Sequence, residues 1–222
     1  TIEEGLSNNQ ARTICKDPYG YVWFGTSNGL NKYDGYTVSS YANIEGDSTS
    51  LPANMILSTL LDSQGRFWIG TELGLCYYDY NKNNFIRKEF TLNNKIINPY
   101  IRSLCEGKNG TMWIGTGVGL FTINIETLEA AQYPIFEKEK KWNLLITTLL
   151  FESDSVLNFG TRRNGFFRYN TLNNTCKQYL NIPGDKTSLS GNNIATIYLD
   201  SEGTIWIGTV NNGVNVFIRE TD

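Results

Sequence analysis

The sequence predicts an all-β fold, a β-propeller of five four-stranded antiparallel blades. Three observations predict it. The tetrapeptide Trp23-Phe24-Gly25-Thr26 recurs as Trp68-Ile69-Gly70-Thr71, Trp113-Ile114-Gly115-Thr116, Asn158-Phe159-Gly160-Thr161 and Trp206-Ile207-Gly208-Thr209. The motif glycines stand 45, 45, 45 and 48 residues apart, so five units fill almost all of the 222 residues. Each unit holds four short apolar runs separated by turn residues, and no long stretch carries a helical period. Four strands per repeat of this length are the mark of a propeller blade. One small sheet covers neither of its faces, whereas blades stacked face to face cover both.

The first run of each unit alternates: Ala11 to Lys16, Ile56 to Leu61, Ile101 to Cys105, Ile146 to Phe151, Ile194 to Leu199. It is expected innermost. A turn follows. Asp17-Pro18-Tyr19-Gly20 has Asp, Pro and Gly where a type I turn wants them, and Asp62-Ser63-Gln64-Gly65 and Asp200-Ser201-Glu202-Gly203 repeat it. The second strand carries the Trp motif. Its Trp is expected buried as a spacer between blades, and its Gly leaves room for a neighbour pressed close. A second glycine turn comes next: Ser27-Asn28-Gly29, Glu72-Leu73-Gly74, Gly117-Val118-Gly119, then residues 162–165 and 210–213. The third strand begins at Leu30 and at Leu75. A fourth stretch ends near Tyr41, Phe85, Tyr133 or Tyr179. The blades are expected over roughly residues 7–45, 52–90, 98–135, 143–180 and 190–222.

Composition narrows the function. Nineteen basic and 22 acidic residues give a net charge of −3, which argues against a nucleic-acid binder. There is no histidine, so no Ser-His-Asp triad, no HExxH zinc site and no histidine base is available. No cofactor and no metal are expected. No apolar run approaches 18 residues, so no membrane insertion by this segment is expected. The first residues, Thr1 to Asn9, hold no basic and apolar leader, so any signal peptide is expected to have been removed. Cys15, Cys76, Cys105 and Cys176 form no CxxC pair and fall on different blades, so four free, mostly buried thiols are expected.

Residues 17–34 read Asp-x-x-Gly-x-Val-Trp-Phe-Gly-Thr-x-x-Gly-Leu-x-x-Tyr-Asp, and residues 62–79 repeat most of it. This string resembles the two-component regulator propeller repeat. The connecting pieces from Glu4 to Asn9, Asp47 to Asn54 and Asp185 to Asn193 resemble that family too. The resemblance implies the extracytoplasmic, periplasmic sensor region of a hybrid two-component system of the Bacteroides type. It implies an oligosaccharide ligand and a kinase that is not in this chain. Such propellers have seven blades, so this chain is expected to be an arc that packs against further propeller blades and downstream signalling domains, with a closed five-bladed ring as the alternative. An arc leaves apolar end faces, so self-association, to a homodimer for instance, is expected of it.

Residues that break the repeat point to a ligand site. The fourth unit replaces the motif Trp with Asn158, has Glu152 to Ser155 in place of the glycine turn, and places Arg162-Arg163 in its second turn. Paired guanidinium groups suit a carboxylate or sulfate. Trp142, the one Trp outside the repeat register, lies in the preceding connection beside Lys141. Indole rings stack on sugars. In a propeller this connection shares a face with the second-to-third-strand turns. Trp142, Arg162, Arg163, Lys141 and, more weakly, Tyr100 are therefore the expected ligand contacts. A solvated turn and a Trp lidding a blade edge are the bland alternatives. Asn8, Asn9, Asn54, Asn192 and Asn193 recur in the connections and are expected to form turns. At the level of function, a protein-protein interaction scaffold is the main alternative. An enzyme like streptogramin lyase, a propeller with a similar turn, is disfavoured because such lyases depend on histidine.

Overall fold

A computed structural model describes residues 1–135 and 144–219. Blade one comprises β1 (Ala11–Lys16), β2 (Val22–Thr26), β3 (Gly29–Tyr33) and β4 (Val38–Tyr41). Blade two comprises β5 (Ile56–Leu61), β6 (Phe67–Thr71), β7 (Gly74–Asp79) and β8 (Asn84–Lys88). A small hairpin, β9 (Phe90–Leu92) with β10 (Lys95–Ile97), leads to blade three: β11 (Ile101–Glu106), β12 (Thr111–Thr116), β13 (Gly119–Asn124) and β14 (Ala130–Gln132). Blade four comprises β15 (Ile146–Ser153), β16 (Val156–Thr161), β17 (Phe166–Asn170) and β18 (Thr175–Tyr179). Blade five holds β19 (Ile194–Leu199), β20 (Ile205–Thr209) and β21 (Val214–Phe217). Within each sheet the strands lie in chain order and pair antiparallel. The first strands pack side by side, β1 on β5, β5 on β11, β11 on β15 and β15 on β19, so the inner strands face a common axis.

Four apolar clusters fill the four spaces between adjacent blades. Trp23 and Leu30 of blade one, for instance, meet Phe67, Ile69, Cys76, Tyr78 and Phe85 of blade two. Where it is complete, in blades one and two, the repeat motif builds the interface in three ways. The motif Trp lies between sheets, with Trp23 and Trp68 fully buried. The turn Asp holds it there: Trp23 Nε1 donates to Asp17 Oδ2 at 2.8 Å, and Trp68 does the same to Asp62 at 2.8 Å. The other oxygen of Asp17 accepts the backbone N–H groups of Tyr19 and Tyr21, both at 3.0 Å, so one carboxylate shapes the turn and fixes the indole. Third, the motif Gly admits the first-strand isoleucine of the following blade. A Cβ on Gly115 would stand 2.7 Å from Ile146, and Gly25, Gly70 and Gly160 face Ile56, Ile101 and Ile194 in the same way. Those four isoleucines are fully buried, whereas Ala11, with no preceding blade in this chain, is exposed.

Several expectations need correction. Blade five shows three strands among the described residues, not four. Its Trp206 keeps the bond to Asp200 at 2.8 Å but is 41% exposed, because no following blade covers it. Tyr198, Val214 and Val216 are exposed on the same blade, and Ile14 on blade one. The hairpin of β9 and β10 was not foreseen. Blade four turns tightly after Ser153, because β15 extends by a second bulge at its end. Of the four free thiols only Cys76 is buried, and the others are half-buried.

Candidate functional site

Every inner strand carries a bulge at the same place. The pairing register slips between Ala11 and Thr13, Ile56 and Ser58, Ile101 and Ser103, Ile146 and Thr148, and Ile194 and Thr196. A bulge leaves one residue out of the ladder and re-aims its side chain. The residues left out are Arg12, Leu57, Arg102, Thr147 and Ala195. All five line one cavity of about 410 Å³, together with Ser103, Thr148 and Thr196. Its walls come from all five first strands, which makes it the axial funnel of the propeller. Two guanidinium groups and several hydroxyls face it, and among the described residues no carboxylate does.

Connections and second-to-third-strand turns meet on one face. In each blade the residue after the motif Thr donates its backbone N–H to the connection just before the first strand. The bonds are Ser27 to Gln10, Glu72 to Met55, Gly117 to Tyr100, Arg162 to Leu145 and Val210 to Asn193, at 2.9–3.2 Å. The motif Thr closes the same turn: Thr26 Oγ1 donates to the Gly29 carbonyl, and its counterparts in the other four blades repeat the bond. Connections and turns therefore ring the mouth of the funnel. Asn54 and Asn192 shape these connections by accepting the N–H groups of Asn43 and Asn181, each at 2.7 Å.

The sequence-predicted residues fall as follows. Arg162 and Arg163 are exposed on this rim. Tyr100 is half-buried on the same rim, with the Arg102 guanidinium 5.3 Å from its ring centre and its hydroxyl 3.7 Å from Met55 Sδ. Trp142 and Lys141 lie outside the described residues. Arg12 leans toward the rim, donating from Nε to Ser27 Oγ at 2.8 Å. Among the described residues no carboxylate pairs with Arg12, Arg102, Arg162 or Arg163. Sequence reasoning missed Arg12 and Arg102. Both occupy the varying position between a constant apolar residue and a constant Ser or Thr, a pattern that does not by itself mark a bulge. No group of three or more Cys, Asp or Glu side chains is placed to hold a metal among the described residues.

Blade four shows what its departures do. Glu152 stands at the turn-Asp position and Asn158 at the Trp position. The buried Glu152 carboxylate accepts from Asn158 at 3.1 Å, from Arg168 at 3.0 Å and from Arg219 of blade five at 2.6 Å. Burial pushes its pKa up, but the hydrogen bonds from Arg168, Arg219 and Asn158 outweigh burial and hold it at about 2. The loss of the Trp is thus a structural exchange of an apolar spacer for an ionic one, away from the funnel.

A stack of antiparallel blades around a polar, cationic axis is a repeat-built propeller module. Four of its five blades carry the two-component regulator propeller repeat, matched over residues 5–28, 50–72, 95–117 and 188–211. The chain is similar to the extracellular domains of two B. thetaiotaomicron proteins named as hybrid two component systems. Against BT3049 the identity is 26% and the TM-score 0.82, covering 98% of this chain and 30% of that one. Against BT4673 the identity is 25% and the TM-score 0.80, covering 96% of this chain and 28% of that one. It is also 30% identical over 112 residues to Histidine kinase P4 of Formosa agariphila, covering 47% of this chain and 8% of that protein. The chain thus spans under a third of each solved relative and a small part of the kinase.

Proposed function

We propose that this chain is the ligand-sensing propeller segment of a periplasmic receptor of the hybrid two-component type. It binds an oligosaccharide across the axial funnel and the rim around it, and the parent protein relays the signal to a histidine kinase domain. The likeness to extracellular domains of such systems supports the sensor role. The observation that carries the binding reading is the funnel itself. Bulges in β1 and β11 aim Arg12 and Arg102 into one polar cavity that no carboxylate lines among the described residues. A guanidinium offers paired donors in a fixed fork, which suits a uronic carboxylate or a sulfate ester. Ring hydroxyls of a sugar suit the Thr and Ser side chains, and the Tyr100 ring offers a stacking face. Arg162 and Arg163 extend the cationic surface along the rim, and Trp142 with Lys141 are the proposed contacts from the connection before blade four.

A thermal-shift screen of this chain against acidic and neutral oligosaccharides tests the reading. An acidic oligosaccharide is expected to raise the melting temperature, and its neutral counterpart to raise it less. No shift with any glycan would contradict the proposal and favour a protein-interaction scaffold.

A further inference from the structure

In blades one and four the glycine of the rim turn is clamped by the connection that leaves the blade. Gly29 N donates to the Asn54 carbonyl at 2.7 Å, and Gly165 N to the Asn192 carbonyl at 3.0 Å. The two connections are copies of one loop. Asn43 Nδ2 donates to the Leu51 carbonyl at 2.6 Å, as Asn181 Nδ2 does to Leu189 at 2.5 Å. In each loop that leucine is buried beneath the clamp.

The connection leaving blade two is built differently, because the β9–β10 hairpin takes the place of that loop. Its Phe90 is buried with Trp68 and Leu75, where Leu51 is buried with Trp23 and Leu30. The apolar plug is thus restored, and the clamp is not. Among the described residues no carbonyl of this connection takes the Gly74 N–H. Gly74 keeps the backbone of Gly29, φ 119° against 112°, and the same closing bond, Thr71 Oγ1 to the Gly74 carbonyl at 2.8 Å. Its N–H therefore points where a carbonyl oxygen sits in blades one and four. A cavity of about 150 Å³ lies beside it, lined by Pro52, Leu73, Leu75, Lys88 and Asn98. Arg87 borders it too, but its guanidinium is held by the carbonyls of Asp47, Ser50 and Leu51.

The lining sets the chemistry of an occupant. Gly74 calls for a carbonyl oxygen. Asn98 turns an acceptor to the same place, its Oδ1 3.9 Å from where a Cβ on Gly74 would stand. A carboxylate would meet that oxygen with like charge, whereas a secondary amide brings both a C=O and an N–H. Pro52, Leu73 and Leu75 offer an apolar wall, and the volume suits one small group. We propose that this cavity holds the acetamido group of an N-acetylated amino sugar. Its carbonyl accepts from Gly74, its N–H donates to Asn98, its methyl lies against Leu73 and Leu75, and Lys88 is left for a ring oxygen. The amide site stands on blade two alone. Its assignment to a sugar rests on the oligosaccharide reading above.

The test titrates the isotope-labelled chain with chitotriose, the trimer of N-acetylglucosamine, and follows the amide resonances. The Gly74 proton is expected to move downfield as it gains an acceptor, with Leu73, Leu75 and Asn98 shifting beside it. Cellotriose, which lacks the acetamido groups, is expected to bind there at least fivefold more weakly. Asn98→Ala is expected to weaken chitotriose fivefold or more, and Asn98→Asp, which keeps the acceptor oxygen, to bind within twofold of the parent. Asn98 is exposed, so neither change disturbs the fold. A Gly74 amide unmoved at millimolar chitotriose, cellotriose bound as tightly, or an Asn98→Ala variant that binds normally would overturn the amide site. An acetylated dipeptide bound there more tightly than chitotriose would overturn the sugar. The funnel reports separately, through the amides of Arg12 and Arg102. An acidic oligosaccharide that shifts those two, while chitotriose leaves Gly74 unmoved, removes this site and spares the axial one.

Discussion

Asn158 donates to Glu152 at 3.1 Å across the same six-residue interval at which Trp23 donates to Asp17 at 2.8 Å. Both residues of the pair have been exchanged, yet the bond survives. The repeat therefore conserves a relationship, a side-chain donor on the second strand held by the turn carboxylate. Blade three lacks it: Gly107 stands at the carboxylate position, and a Cβ there would press within 2.7 Å of Trp113 Nε1 and 2.9 Å of the Phe151 ring.

Glu152 gives blade four an acid-sensitive joint to blade five. Its folded pKa, about 2, lies below the ordinary 4.5, so its contribution is complete above about pH 4.5 and is lost as the pH falls toward 2. Glu152→Gln is expected to cost about 1.5–3 kcal/mol at neutral pH, the range for hydrogen bonds to a charged group. Urea unfolding at pH 6 and pH 3 checks it: the gap between parent and variant should narrow at the lower pH.

The motif tryptophans should not be equivalent. Trp68→Ala is expected to cost about 3–5 kcal/mol, the penalty for emptying a large core site. Trp206→Ala should cost less than half as much, because its ring is 41% exposed. Chemical denaturation of the two variants measures the difference.

The thiols should differ in reactivity. Burial holds the Cys76 thiol far above the usual range and pushes Cys176 up to about 12. At pH 8 both are thiols rather than thiolates. A chromogenic thiol reagent is expected to leave Cys76 unmodified until the chain unfolds in denaturant, when four thiols react.

On the rim, Arg162→Ala with Arg163→Ala is expected to weaken binding of an acidic oligosaccharide tenfold or more. Their exposure means that stability should change little, within about 0.5 kcal/mol. Calorimetry and thermal melting on the same double variant separate the two effects.

Much of the fold is legible in the sequence because the interfaces reuse the same motif positions. Gly admits the isoleucine of the following blade at all four, Trp fills the first three, and a turn Asp pins the Trp at the first two. The exposed Trp206 was not legible, since a repeat says what a residue does between two blades and nothing of a blade whose neighbour is missing. The hairpin at β9 and β10 falls outside the repeat. The rim was legible through Arg162, Arg163 and Tyr100, whose connections and turns follow from blade order. The funnel was not. Arg12 and Arg102 face the axis only because a bulge takes them out of the ladder, and a bulge is a slip of register with no residue type of its own. Leu57, Thr147 and Ala195 share the position and look like ordinary strand residues.

The most direct measurement is a calorimetric titration of the parent and an Arg12→Ala, Arg102→Ala double variant with the acidic oligosaccharide that best stabilises the chain, in one low-salt buffer. Two charge-assisted contacts at about 1.5 kcal/mol or more each correspond to a loss of roughly a hundredfold in affinity. That loss, with an unchanged melting temperature in the absence of ligand, is the expected result. Affinities within twofold of each other would contradict the axial site.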